Sequence, residues 1–235
     1  MAHIVQKALL VLFMLTVLGA CSGDDSTTIN IEAPSNNGGD SGGGNSGGGD
    51  SSGGGSGDGG TPASCPEGTS EVSEGLCELP QTVSSDLTLS AGVSYLMSDR
   101  VTVGNGNGQL ETNNDGFLDD GSAVQSVTLT IEAGVQVFGK NGTFANLLIT
   151  RGSKIMAMGT AEAPIIFSSD DEGYEGSGEW GGLIIHGYAP HNECAEGGSY
   201  CDIDSEGESG FAGGYDPDDS SGVLRYVVVA EGGYE

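Results

Sequence analysis

The chain has 235 residues, 44 of them Gly, and sets 34 Asp+Glu against 6 Lys+Arg for a formal net charge of −28. That charge excludes nucleic-acid binding, because phosphate is repelled, and it excludes electrostatic docking on anionic headgroups, so any membrane contact must be apolar or covalent. With charged residues at 17%, aromatics at 6% and so much Gly, an ordinary helical domain is excluded as well, which leaves a turn-rich β-type chain.

Residues 1–20 read as a signal peptide. Lys7 closes a short n-region, and Ala8 to Leu18 is apolar apart from Thr16, too short to span a bilayer. The segment ends Leu18-Gly19-Ala20-Cys21, which resembles the lipobox of bacterial lipoproteins. The resemblance implies that Cys21 is the lipid anchor and the mature N-terminus, and that Ser22 and Gly23 direct the protein to the outer membrane, on the cell surface or the periplasmic face. The alternative is a secretory signal followed by a chance Cys. Two or three acyl chains give firm attachment, since each buried CH₂ contributes about 0.8 kcal/mol. Residues 21–64 then form the lipidated Cys and a disordered Gly/Ser/Asp tether. Gly38 to Gly60 holds 14 Gly in 23 residues, so almost nothing offsets the entropy of ordering, and a coil of this length reaches roughly 35 Å.

Residues 65–235 carry an internal repeat. Leu87-Thr88-Leu89-Ser90-Ala91-Gly92-Val93-Ser94-Tyr95-Leu96 lies over Leu129-Thr130-Ile131-Glu132-Ala133-Gly134-Val135-Gln136-Val137-Phe138. The unit is a short strand, an Ala-Gly corner and another short strand. A looser copy is placed with its corner at Gly152, eighteen residues after Gly134, and Pro164 to Ser168 is matched to Gly182 to His186 at the same spacing, which suggests a period near one coil. Alternation over Val127, Leu129, Ile131 and over Leu224, Tyr226, Val228 predicts strands. The corners lack two-residue hairpin loops, so stacked coils are expected in preference to a β-sandwich. A disulfide-closed loop is expected over 65–85 and the coils, with acidic insertions, over 86–235.

Several stretches resemble large lipoproteins of Gram-negative bacteria: Cys65-Pro66-Glu67-Gly68-Thr69, Leu129 to Gly134, Arg151-Gly152-Ser153-Lys154-Ile155, Gly159-Thr160-Ala161 with Ala163-Pro164-Ile165, Trp180-Gly181-Gly182-Leu183-Ile184-Ile185, and Gly213-Gly214-Tyr215-Asp216. The resemblance implies an all-β body, a right-handed parallel β-helix of the pectin-lyase-like kind, at the cell surface and with no established reaction. Members of that family run on for more coils, so the chain is expected to be part of a longer one.

Four cysteines remain in an exported chain, so disulfides are the default, with three connectivities open. The local pairs Cys65–Cys77 and Cys194–Cys201 are favoured because each closes a Gly-rich loop. The rival is zinc on His186, His191, Cys194 and Cys201, whose spacing is not a usual zinc pattern. Calcium suits the sequence better. Glu111, Asn113, Asp115 and Asp119 occupy the first, third, fifth and ninth positions of an EF-hand-like loop with Gly116 at the sixth; Ser122 replaces the bidentate Glu at the twelfth, so weak binding or a plain acidic turn is expected. For catalysis, Arg151 and Lys154 flank a corner and form a conceivable outward pair, or they pair with carboxylates such as Glu132. Trp180 is either a sugar platform or a corner filler. The function expected is a non-catalytic surface lipoprotein, acidic and calcium-stabilised, in adhesion, display or contact with a polysaccharide or another surface protein. The alternative is a polysaccharide lyase or hydrolase on the same scaffold.

Overall fold

The computed structural model describes residues 64–111, 116–171, 173–174, 176–196, 198 and 201–234. The signal segment, Cys21, the tether, Asn113 and Asp115 lie outside the described residues. No described residue is helical.

The chain visits three sheets in a constant order. A hairpin of β1 (Ser70–Ser73) and β2 (Leu76–Glu78) opens the first pass, which continues through β3 (Thr82–Val83) and β4 (Leu87–Leu89). The second pass is β5 (Ser94–Met97), β6 (Val101–Val103) and β7 (Thr128–Ile131); the third is β8 (Gln136–Gly139), β9 (Asn146–Ile149) and β10 (Lys154–Met158). The fourth is β11 (Ile165–Ser169) and β12 (Gly182–Ile185), then a side hairpin of β13 (Ile203–Ser205) and β14 (Gly210–Ala212), then β15 (Gly222–Arg225). β16 (Val227–Val229) begins a fifth. Equivalent strands pair in parallel: β2-β5-β8-β11-β16 in the first sheet, β3-β6-β9-β12 in the second and β4-β7-β10-β15 in the third. Stacking thus starts at Leu76, inside the segment read from sequence as a disulfide-closed loop.

Strand alternation decides what lies inside. In β4, Leu87 and Leu89 are buried while Thr88 is exposed; in β7, Leu129 and Ile131 are buried. Leu87, Leu129 and Ile155 fall in one row across the third sheet, and Tyr95 and Val137 are neighbours in the first. These ladders meet in one interior with Val103, Leu147, Ile149, Phe167 and Trp180. Burying each large apolar side chain contributes about 1.5–3 kcal/mol. The Tyr95 hydroxyl stays satisfied there, accepting from Ser90 N at 2.7 Å and donating to Ser90 O at 3.1 Å, and burial pushes its pKa up.

The ten-residue repeat stacks residue for residue, Leu87 on Leu129 and Leu96 on Phe138. Its Gly corners take the backbone that L-residues resist, with φ of 93° at Gly92 and 82° at Gly134. The two eighteen-residue alignments are corrected. Gly152 turns the chain from the second sheet to the third, whereas Gly134 turns it from the third to the first; β11 and β12 lie in different sheets. Eighteen residues separates adjacent faces within a pass. A positive-φ Gly occurs at more than one kind of corner, so Gly phase alone does not identify the face. The strand expected over Leu224, Tyr226 and Val228 is also corrected, because Tyr226 at φ 48° breaks it into β15 and β16.

Candidate functional site

All four residues of β9 are buried. Leu147 and Ile149 point into the interior, so Asn146 and Leu148 face outward and need cover. The cover comes from the described residues of two insertions, 104–111 and 116–127 after β6 and 186–196, 198 and 201–221 after β12. Phe211 N donates to Asn107 O at 2.8 Å and Leu110 N to Asp202 Oδ2 at 2.9 Å, which joins the insertions to each other.

Arg151 is the hub beneath them. It is fully buried, and its ion pair with Asp202 spans 2.6 Å with both side chains withdrawn from solvent. Nε donates to Gly106 O at 2.7 Å, Nη2 to Gly108 O at 2.5 Å and Nη1 to Gly213 O at 3.2 Å, and the guanidinium carbon stands 5.9 Å from the Tyr188 ring centroid. Gly106 allows the close approach, because a Cβ there would lie 2.1 Å from Arg151 O. The planar fork of Arg suits this set of acceptors. Burial holds the Tyr188 phenol above its ordinary range.

Arg100 plays a related part at the hairpin tip. Its Nη1 donates to Glu208 O at 2.6 Å, its Nη2 to Gly207 O, and its Nε to Asn146 Oδ1 at 3.1 Å. Between the two arginines, His186 Nε2 lies 2.8 Å from Ser205 Oγ and 3.4 Å from Ser209 Oγ. Burial, reinforced by the Arg151 charge, lowers the His186 pKa to about 4, so the ring is neutral at pH 7. This is a Ser–His contact without the rest of a nucleophile. Ser205 Oγ also sits 2.7 Å from Gly210 O, which competes for its single hydrogen. Among the described residues His186 Nδ1 is buried without a hydrogen-bond partner of good geometry, the Phe211 backbone being the further group that acts on the ring, so no described carboxylate orients it. The cluster staples β13–β14 to the second sheet.

The stapled hairpin forms one wall of a trough of about 740 Å³. Asn146, Gly181 and Ile184 form its floor, Ser205, Glu206, Gly207, Ser209 and Ala212 the hairpin wall, and Phe144 with Tyr234 the other wall. The two rings meet edge to face, centroids 5.0 Å apart, and Phe144 is 57% exposed. Asp99 and Glu208 extend the lip.

The residues singled out from sequence are distributed otherwise. Both favoured disulfides are present, Cys65–Cys77 and Cys194–Cys201. The second corrects the zinc reading, since both thiols are consumed, while His186 is in the staple and His191 Nδ1 accepts from Glu193 N at 3.3 Å. The outward Arg151–Lys154 pair is corrected too: Arg151 is buried and Lys154 exposed. Glu132 instead accepts from Ala91 N at 2.8 Å in the preceding pass. Trp180 fills a corner, fully buried with Nε1 donating to Ala230 O at 2.7 Å. Of the calcium set, Glu111 and Asp119 belong to a small antiparallel ladder through Glu111 N to Phe117 O and Asp119 N to Gln109 O. Their partners Asn113 and Asp115 fall outside the described residues. Sequence reasoning missed the trough and both arginine anchors; the available signal was the scarcity of basic residues, which makes each buried cation a candidate anchor.

A family model described as a pectate-lyase-like beta helix domain matches residues 107–235, more than half of the chain. No curated protein and no solved structure matches it. With three parallel sheets visited in turn and this match, the chain belongs to the pectate-lyase-like β-helix domain family.

Proposed function

We propose that the protein is a cell-surface lipoprotein that holds glycan in the trough without cleaving it. The trough carries the proposal: an exposed aromatic ring on one side suits the C–H face of a sugar, and a polar hairpin on the other suits its hydroxyls. Cys21 bears the lipid in the outer membrane, and the Gly-rich tether carries the body clear of the surface. The helix is a right-handed solenoid, the hand taken by nearly all parallel crossover connections. Millimolar calcium neutralises part of the acidic insertions, with Glu111, Asn113, Asp115 and Asp119 as one weak site.

A polysaccharide lyase is the second reading, favoured by the family match. Lyase chemistry needs a basic group beside the substrate. Arg100, the arginine lining the trough, donates from all three of its nitrogens to the protein, and Arg151 is sealed under the insertions. The test incubates the full chain, with calcium, with acidic and neutral polysaccharides. Binding without new reducing ends or unsaturated products is expected, and turnover lost in Arg100→Ala would overturn the non-catalytic reading. Palmitate labelling that survives Cys21→Ala would overturn the anchor.

A further inference from the structure

The charged groups on the trough are one-sided. Asp99, Glu206 and Glu208 are exposed along its lip and hairpin wall, and Arg100 is the cation among the described residues that line it. Arg100 turns its guanidinium into the hairpin, toward the Gly207 and Glu208 carbonyls and Asn146 Oδ1. His186 contributes a neutral ring. An anionic sugar unit therefore meets three carboxylates, of which Asp99 already accepts from Gln81 Nε2 and Arg100 N, against one guanidinium whose three nitrogens each donate to the protein. A neutral sugar meets the same carboxylates as acceptors for its hydroxyl hydrogens, and charge-assisted bonds of this kind are the stronger ones. Phe144 offers an exposed ring to either.

From this geometry we infer that the trough selects neutral sugar rings and rejects polymers of uronic acids. The inference rests on the glycan-contact reading above and narrows it to one substrate class. Each exposed carboxylate a few ångströms from a sugar carboxylate weakens binding by a factor of about five in water, less at high salt.

The deciding experiment is calorimetric titration of the full chain with neutral hexasaccharides of glucose and of mannose and with the matching hexamer of galacturonic acid, each in EDTA and in calcium. At least one neutral sugar is expected to bind at least tenfold more tightly than the uronate in both buffers. Glu206→Gln with Glu208→Gln is expected to narrow that ratio by fivefold or more without weakening the neutral sugar by a similar factor, and Phe144→Ala to remove binding. Uronate bound as tightly as the neutral sugars, in either buffer and lost in Phe144→Ala, would leave the trough reading standing and overturn the neutral selectivity. Binding of no sugar would overturn the trough reading and this inference with it.

Discussion

The interior of the β-helix and the layer laid over its second sheet are held together by opposite means. Inside, Leu87, Leu129 and Ile155 repeat one apolar contact from pass to pass, and the stabilisation is spread over many similar residues. Outside, two acidic insertions are fixed by a few polar nodes: Arg151 with Asp202, Arg100 with the hairpin tip, and His186 with Ser205. A distributed interior loses a share when one residue changes. A noded layer loses its placement, and the trough depends on that layer.

The sharpest break of this contrast is Arg151→Met, which takes the ion-pair partner from Asp202 and the donor from the Gly106, Gly108 and Gly213 carbonyls and is expected to cost about 3–5 kcal/mol. Denaturant midpoints measure it, and hydrogen exchange should show residues 104–127 and 186–221 losing protection first. Adding Asp202→Leu should recover part of the loss, because the pair removed whole leaves no unpaired charge, while Leu110 N loses its acceptor. Leu129→Ala is expected to cost about 2–5 kcal/mol with protection falling in all three sheets. Equal exchange patterns in the two variants would erase the distinction drawn between the regions.

Smaller effects sharpen it further. Replacing Cys194 and Cys201 together by Ser should cost about 2 kcal/mol on the chain-entropy estimate, seen as a lower thermal midpoint with the core spectrum intact. His186 supplies a pH signature. Its folded pKa near 4 lies below the ordinary 6.5, so the unfolded chain takes up the proton first as pH falls. Stability is therefore lost between about pH 6.5 and 4 and is level below that. Carboxylates titrate in part of the same range, so the measurement is the difference between the parent and His186→Gln melting curves across pH. That difference is expected to change by about 1–2 kcal/mol after solvent screening, and a flat difference would mean that the ring is not held neutral.

The interior was legible in the sequence because its physics is local and periodic. Alternation and the Gly corners in Leu87 to Leu96 and Leu129 to Phe138 set the register that the third and first sheets adopt. The later passes were misaligned because eighteen residues separate adjacent faces and positive-φ Gly turns more than one kind of corner, as at Gly134 and Gly152. Both disulfides were legible from loop closure. Arg151 was not: it looks like a surface residue beside a corner Gly, and it becomes a buried hub only because residues separated from it by long stretches of chain, Gly106 and Asp202, fold back over it. Phe144 carried no motif, and its value lies in standing opposite a hairpin from another pass.

The central claim, that the noded layer forms a glycan-holding trough on the second sheet, is tested most directly by NMR chemical-shift mapping of the full chain titrated with a neutral oligosaccharide. The account predicts shifts at Phe144, Asn146, Gly181, Ile184, Ser205, Glu206, Gly207, Ser209, Ala212 and Tyr234, abolished by Phe144→Ala, a substitution at an exposed ring that should change stability by less than about 0.5 kcal/mol. Shifts confined to the outer faces of the first or third sheet, or none with any sugar, would contradict it.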